Sequence, residues 1–147
     1  MKIHKTVNPV AYENTYYLEG DQHLIVVDPG SHWEAIRKTI EKINKPVCAI
    51  LLTHTHYDHI MSLDLVRDTF GNPPVYVAES EASWLYTPID NLSGLPRHDD
   101  MQMWSQNQQS TPLSFMKNTG LRNFVLPFYR PQGTLSAVFP WSFLMLI

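Results

Sequence analysis

The chain has 147 residues, 44% of them apolar, and a formal net charge of −3. That length and apolar content suit one domain with a real core and disfavour two. The scattered Lys and Arg give no basic stripe for a nucleic acid, and no apolar run nears the ~20 residues needed to cross a membrane. The start Met1-Lys2-Ile3-His4-Lys5 lacks the apolar stretch of a secretory leader, which places the protein in the cytoplasm as an expectation.

In chain order, Lys2 to Val7, Thr15 to Leu18 and His23 to Val27 read as strands, with Glu19-Gly20-Asp21 turning a hairpin between the last two. Ser31 and Glu34 have capping-box spacing, and Trp33, Ile36, Ile40 and Ile43 recur at helical intervals, so residues 32 to 43 are predicted to form an amphipathic helix. Asn44 and Pro46 end it. Val47-Cys48-Ala49-Ile50-Leu51-Leu52 is short, apolar and partly β-branched, as in a strand buried on both faces. Cys48, the only cysteine, reads there as a small buried hydrophobe and excludes an internal disulfide. Ile60 to Phe70 reads as a helix that Gly71-Asn72-Pro73-Pro74 breaks. Val75-Tyr76-Val77 is a short strand, and Ser80 can cap a brief helix through Leu85. The alternation predicts an α/β fold with its site where a strand opens into a loop.

That loop is Thr53-His54-Thr55-His56-Tyr57-Asp58-His59, directly after the apolar strand. Imidazole nitrogens and a carboxylate are the donor set favoured by zinc and neighbouring divalent ions, with iron and manganese equally accepting of such a mixture. If the extended backbone persists beyond the strand, His54 and His56 project to one side, because side chains alternate with a period of two. Asp58 and His59 lie past the turn and can face a second ion. His4, His23, His32 and His98 are dispersed and read as polar surface or core positions. Asn91-Leu92-Ser93-Gly94-Leu95-Pro96, which follows Glu79, Glu81 and Trp84, reads as a surface loop that can border the cleft.

The pattern His-x-His-x-Asp-His after a strand resembles the metallo-β-lactamase-fold hydrolases, and Thr53 to Ile60 is most similar to their glyoxalase II-like branch. Leu24-Ile25-Val26-Val27-Asp28-Pro29-Gly30 is similar to the family's strand ending in Asp-x-Gly. The resemblance covers about residues 2 to 100 and implies an αββα sandwich, of which this chain holds the N-terminal half. It implies two divalent ions, with His54 and His56 on one and Asp58 and His59 on the other, Asp58 also serving catalysis and Asp28 supporting the ligands from behind. The implied chemistry is hydrolysis of a small-molecule thioester or ester by a metal-bound hydroxide. A non-catalytic metal-binding or protein-interaction module is the alternative.

Residues 101 to 147 contain none of the fourteen Asp and Glu and none of the seven His, and they finish on Phe139-Pro140-Trp141-Ser142-Phe143-Leu144-Met145-Leu146-Ile147. This segment is therefore set apart from 1 to 100 as a divergent tail; a shift of reading frame near Met101 is the expectation, with a genuine variable or partner-binding segment as the alternative. Read one nucleotide earlier, permitted codons for Leu126 to Val138 spell Thr-Val-Leu-Pro-Thr-Pro-Gly-His-Ser-Ile-Gly-Gly, which contains the family's later Pro-Gly-His-Ser element. The expected consequences are missing later ligands, impaired catalysis, and self-association through an uncovered half-sandwich face.

Overall fold

The computed structural model describes residues 1–95, 114–116, 123–128 and 135–140. The Pro96 and His98 positions singled out above, and the rest of the segment after residue 100, lie outside these. By its internal contacts the chain divides into two compact units, Met1–Met116 and Lys117–Ile147.

The first unit is built on a mixed sheet. β1 (Lys2–Val7), β2 (Asn14–Glu19) and β3 (Leu24–Val27) run antiparallel, and β4 (Val47–Leu51), β5 (Val75–Ala78) and β6 (Ser114–Met116) then add in parallel, in the order β1-β2-β3-β4-β5-β6. The β2–β3 connection closes at Gly20, whose N–H donates to the His23 carbonyl at 2.9 Å. Parallel neighbours need crossovers, and the helices supply them. α1 (Trp33–Ile43) joins β3 to β4, while α2 (Tyr57–Ile60) and α3 (Leu63–Thr69) join β4 to β5. A 3-10 helix over Glu79–Tyr86 follows β5. In the second unit β7 (Asn123–Phe128) and β8 (Leu135–Pro140) pair antiparallel.

Every residue of β3 is buried, as its unbroken apolar run requires. Leu24 and Val26 pack in one cluster with Ile36 and Ile40 of α1 and Leu63 and Val66 of α3. Ile25 and Val27, on the alternate positions, are buried as well. β1 has a mostly exposed surface carrying Lys2 and Lys5, charges that discourage pairing at a sheet edge. α1 stops where expected: Asn44 takes the left-handed conformation (φ 54°) and returns its N–H to the Ile40 carbonyl.

Three local expectations are corrected. Ser31 does not cap α1: the N-cap is His32, without a side-chain cap bond, because the Ser31 hydroxyl accepts the Val10 N–H at 3.3 Å instead. Ser80 likewise caps nothing, since the 3-10 helix begins after Ala78 with no side-chain cap. The helix expected over 60 to 70 is two helices, and the first starts at Tyr57, so Asp58 and His59 sit on a helical turn rather than a loop. The break falls at Ser62, whose hydroxyl donates to the Gly30 carbonyl and whose N–H donates to the Pro29 carbonyl. This tie to the turn after β3 outweighs continuous helical bonding. Cys48 is half-buried, with burial pushing its thiol up.

Candidate metal centre

Both corner segments of the site leave the same end of the sheet. β3 and β4 are parallel neighbours, with Val27 opposite Leu51, so the residues that follow them, Asp28 and Thr53, meet beyond the strand ends. Asp28 sits at φ 49°, a conformation that Asp tolerates better than most residues, and its N–H donates to the Leu51 carbonyl. Its carboxylate is turned across to the histidine segment. Oδ1 accepts the Thr53 N–H at 2.8 Å and Oδ2 accepts the Thr53 hydroxyl at 2.6 Å.

Past β4 the backbone bends at Thr53 and is extended at His56, at φ −65° and ψ 149°. Thr55 therefore turns inward and is buried, its N–H donating to Glu81 Oε2 at 3.0 Å, while His54 and His56 fall on the opposite side. Their ring centroids are 4.6 Å apart in an edge-on arrangement. His56 also lies parallel to Trp84, with 6.4 Å between ring centroids. At Tyr57 the chain enters α2, its N–H donating to the Asn91 carbonyl at 2.9 Å, and the helical turn carries His59 back to 3.9 Å from His54. Three imidazoles thus converge, all half-buried, with Asp58 Oδ2 3.6 Å from His59 Nε2. Asn91 and Ser93 are buried, so the stretch read as a surface loop supports the entry to α2.

Hydrogen bonding settles the ring face of His54. The Thr53 hydroxyl has one proton and gives it to Asp28, so at 3.1 Å the His54 Nδ1 is the donor and Nε2 keeps its lone pair. Burial, then the neighbouring His59 and His56, lowers the His54 pKa, which keeps the ring neutral. His59 turns Nδ1 toward Asp28 Oδ2 at 3.1 Å and Nε2 toward Asp58. A neutral imidazole with Nδ1 occupied and Nε2 open, as at His54, is the donor form that divalent ions require. The residues fit the ions implied by the sequence.

Reading the sequence missed Glu13. It lies just before β2 and is buried, with Oε1 4.0 Å from His59 Nδ1. Glu13, Asp28 and His59 each bring one ligand-type atom within 4.8 Å of the others. Burial, followed by the Asp28 and Asp58 charges, pushes Glu13 up to about 9. No periodicity marks this residue, and only the folding of the 8–13 loop against β3 reveals it.

The sequence model of the metallo-beta-lactamase superfamily matches residues 8–128, and the chain belongs to that superfamily. A probable metallo-hydrolase of Streptococcus pyogenes is 64% identical over 101 residues, 69% of this chain and 44% of the relative. The probable metallo-hydrolase YqgX of Bacillus subtilis is 39% identical over 84 residues, covering 57% of this chain and 39% of YqgX. The chain thus spans about two fifths of the length of these relatives. Among solved structures, the B3 metallo-beta-lactamase BLEG-1 superposes with a TM-score of 0.69 at 24% identity, over 96% of this chain and 68% of that one. TTHA1623, solved in a di-iron-bound form, superposes at 0.63 and 19% identity, over 93% of this chain and 66% of that one. The α/β architecture is that of the metallo-β-lactamase fold over the N-terminal part of the chain.

Proposed function

We propose that this chain carries the first-loop half of a divalent-metal hydrolase site of the glyoxalase II-like kind, directed at small-molecule thioesters or esters. The observation that carries it is the convergence of the His54, His56 and His59 rings, with Asp28 setting the His54 tautomer through Thr53 and facing His59 Nδ1 directly. His54 and His56 would hold one ion, and Asp58 and His59 the other. Zinc is the first choice for this donor set, with iron or manganese as alternatives. The probable polyketide biosynthesis zinc-dependent hydrolase PksB of Bacillus subtilis is 31% identical over 85 residues, 58% of this chain and 37% of PksB, and TTHA1623 was solved in a di-iron-bound form. When bound, such ions polarise a carbonyl and lower the pKa of water.

The chain's own residues supply orientation. Thr53 and Glu81 hold the His54–His56 segment, and Trp84 lies alongside His56 as an aromatic side for the site. To Asp58, in the first turn of α2 with Oδ2 3.6 Å from His59 Nε2, we assign a part in the chemistry. Activity of these 147 residues is expected to be low, because positions 101 to 147 offer no His, Asp or Glu toward either shell. The same absence favours the second reading, a metal-binding or interaction module without turnover. A reading-frame shift near Met101 is the origin we propose for that composition, and sequencing the gene across Asp99 to Gln102 tests it. We also expect self-association through the half-sandwich face. A purely monomeric species in sedimentation would overturn that.

The direct test is zinc content by elemental analysis together with turnover of a generic thioester, each compared with His56→Ala. Bound zinc that His56→Ala loses supports the site. Stoichiometric zinc with no turnover selects the module reading, and wild-type protein free of zinc after reconstitution rejects both.

A further inference from the structure

We infer that Glu13 is a positioning residue for His59: its carboxyl, seated where Gly30 has no side chain, closes the Nδ1 edge of the ring alongside Asp28 and keeps Nε2 turned toward Asp58. Asp28 alone does not hold that edge. Its Oδ2 already accepts the Thr53 hydroxyl, and His59 Nδ1 at 3.1 Å from the same oxygen makes no well-directed hydrogen bond to it. The other oxygen facing Nδ1 is Glu13 Oε1 at 4.0 Å, which is buried and makes no hydrogen bond among the described residues.

The seat is built from three separate segments. Asn8 Nδ2 donates to Glu13 Oε2 and, at 2.9 Å, to the Thr15 hydroxyl, while Asn8 Oδ1 accepts the His32 N–H at 2.7 Å. The Thr15 hydroxyl in turn donates to the Asp28 carbonyl at 2.8 Å and accepts the Gly30 N–H at 3.2 Å. A Cβ on Gly30 would stand 1.9 Å from Glu13 Oε2 and 2.7 Å from Asn8 Nδ2, so the glycine following Asp28-Pro29 is what admits the carboxyl. A Glu side chain only 1% exposed, pinned at one oxygen and directed with the other at an imidazole, is costly to bury for packing alone. Groups behind a ligating histidine set which nitrogen is free, and their loss commonly weakens metal binding 10- to 100-fold, as an order-of-magnitude range.

The inference rests on the metal-site reading only for its effect on affinity; the ring itself tests it separately. In the full-length, metal-free chain, nitrogen-15 long-range correlation spectra report which His59 nitrogen bears the proton, with assignment by His59→Asn. Wild type is expected to show Nδ1–H. Glu13→Gln, of equal shape, must keep its carbonyl oxygen on the Asn8 N–H and so turns its NH2 toward Nδ1; it should shift the ring toward the Nε2–H form and weaken cobalt(II) binding about tenfold. Glu13→Met, of similar size but apolar, should show a mixture of tautomers and about tenfold weaker cobalt(II) binding. Melting curves show whether each variant is folded. If Glu13→Met does not fold, Gly30→Ala, which displaces the carboxyl while keeping it in the chain, is expected to give the same mixture. A folded Glu13→Met or Gly30→Ala protein with wild-type His59 shifts overturns the inference. Wild type with ordered Nδ1–H but no cobalt(II) binding leaves Glu13's role standing and rejects the metal reading.

Discussion

Glu13 immediately precedes β2 and Glu19 is its last residue, and their carboxyls are pushed in opposite directions. At the far end Glu19 accepts from Lys45 at 2.7 Å and lies 2.7 Å from His4 Nε2, and the Lys45 and then His4 hydrogen bonds bring it down to about 2. At the site end Glu13 is buried among Asp28 and Asp58 and rises to about 9. The far end is electrostatically satisfied and serves stability. The site end collects carboxyls and imidazoles that only a proton or a cation can balance, which is the condition found where chemistry is done.

The strongest way to break this contrast is Asp28→Ala, which leaves Thr53 without both of its acceptors and His59 without its nearer one. A loss of about 3 kcal/mol is expected from denaturant unfolding, together with loss of metal binding. Next comes the cation itself. Zinc at about a hundredfold its dissociation constant should stabilise wild type by about 2.7 kcal/mol, a chelator should reverse this, and His56→Ala should abolish the shift in melting temperature. Gly30→Ala, forcing Glu13 and Asn8 out of their seat, should cost about 2 kcal/mol in the same unfolding experiment.

The smallest effects are in the pH dependence, and they differ in sign. Glu13 is raised in the folded state, so the metal-free protein binds more protons folded than unfolded. Its contribution is present below about 4.5 and is lost as pH rises toward about 9, a slope that Glu13→Gln should flatten. Glu19 is lowered, so its contribution is present above about 4.5 and is lost as pH falls toward about 2, which Glu19→Gln should remove. Thermal melts across both ranges measure the pair. Equal slopes in wild type and both variants would erase the contrast between the strand's ends.

Much of the fold was legible because it depends on neighbours in the chain. The unbroken apolar runs of β3 and β4, the 3.6-residue recurrence in α1 and the Asn44 stop all follow from local sterics and burial. The errors occurred where a side chain had a distant partner. Ser31 has cap spacing but meets Val10, and Ser62 lies inside a helical pattern but is drawn to Pro29 and Gly30. The same applies to the site. His54 and His56 were readable from alternation, whereas the return of His59 to His54 depended on α2 starting at Tyr57, held by Asn91.

By itself, then, the sequence determined the strand that delivers the histidines, the spacing that puts two of them side by side, and the donor chemistry they offer, since all three reside in consecutive residues. Tertiary structure alone decided which nitrogen His54 leaves open and that a buried Glu13 stands behind His59. Those depend on β3 and β4 lying parallel and ending together, a juxtaposition of segments far apart in the chain that no local pattern encodes.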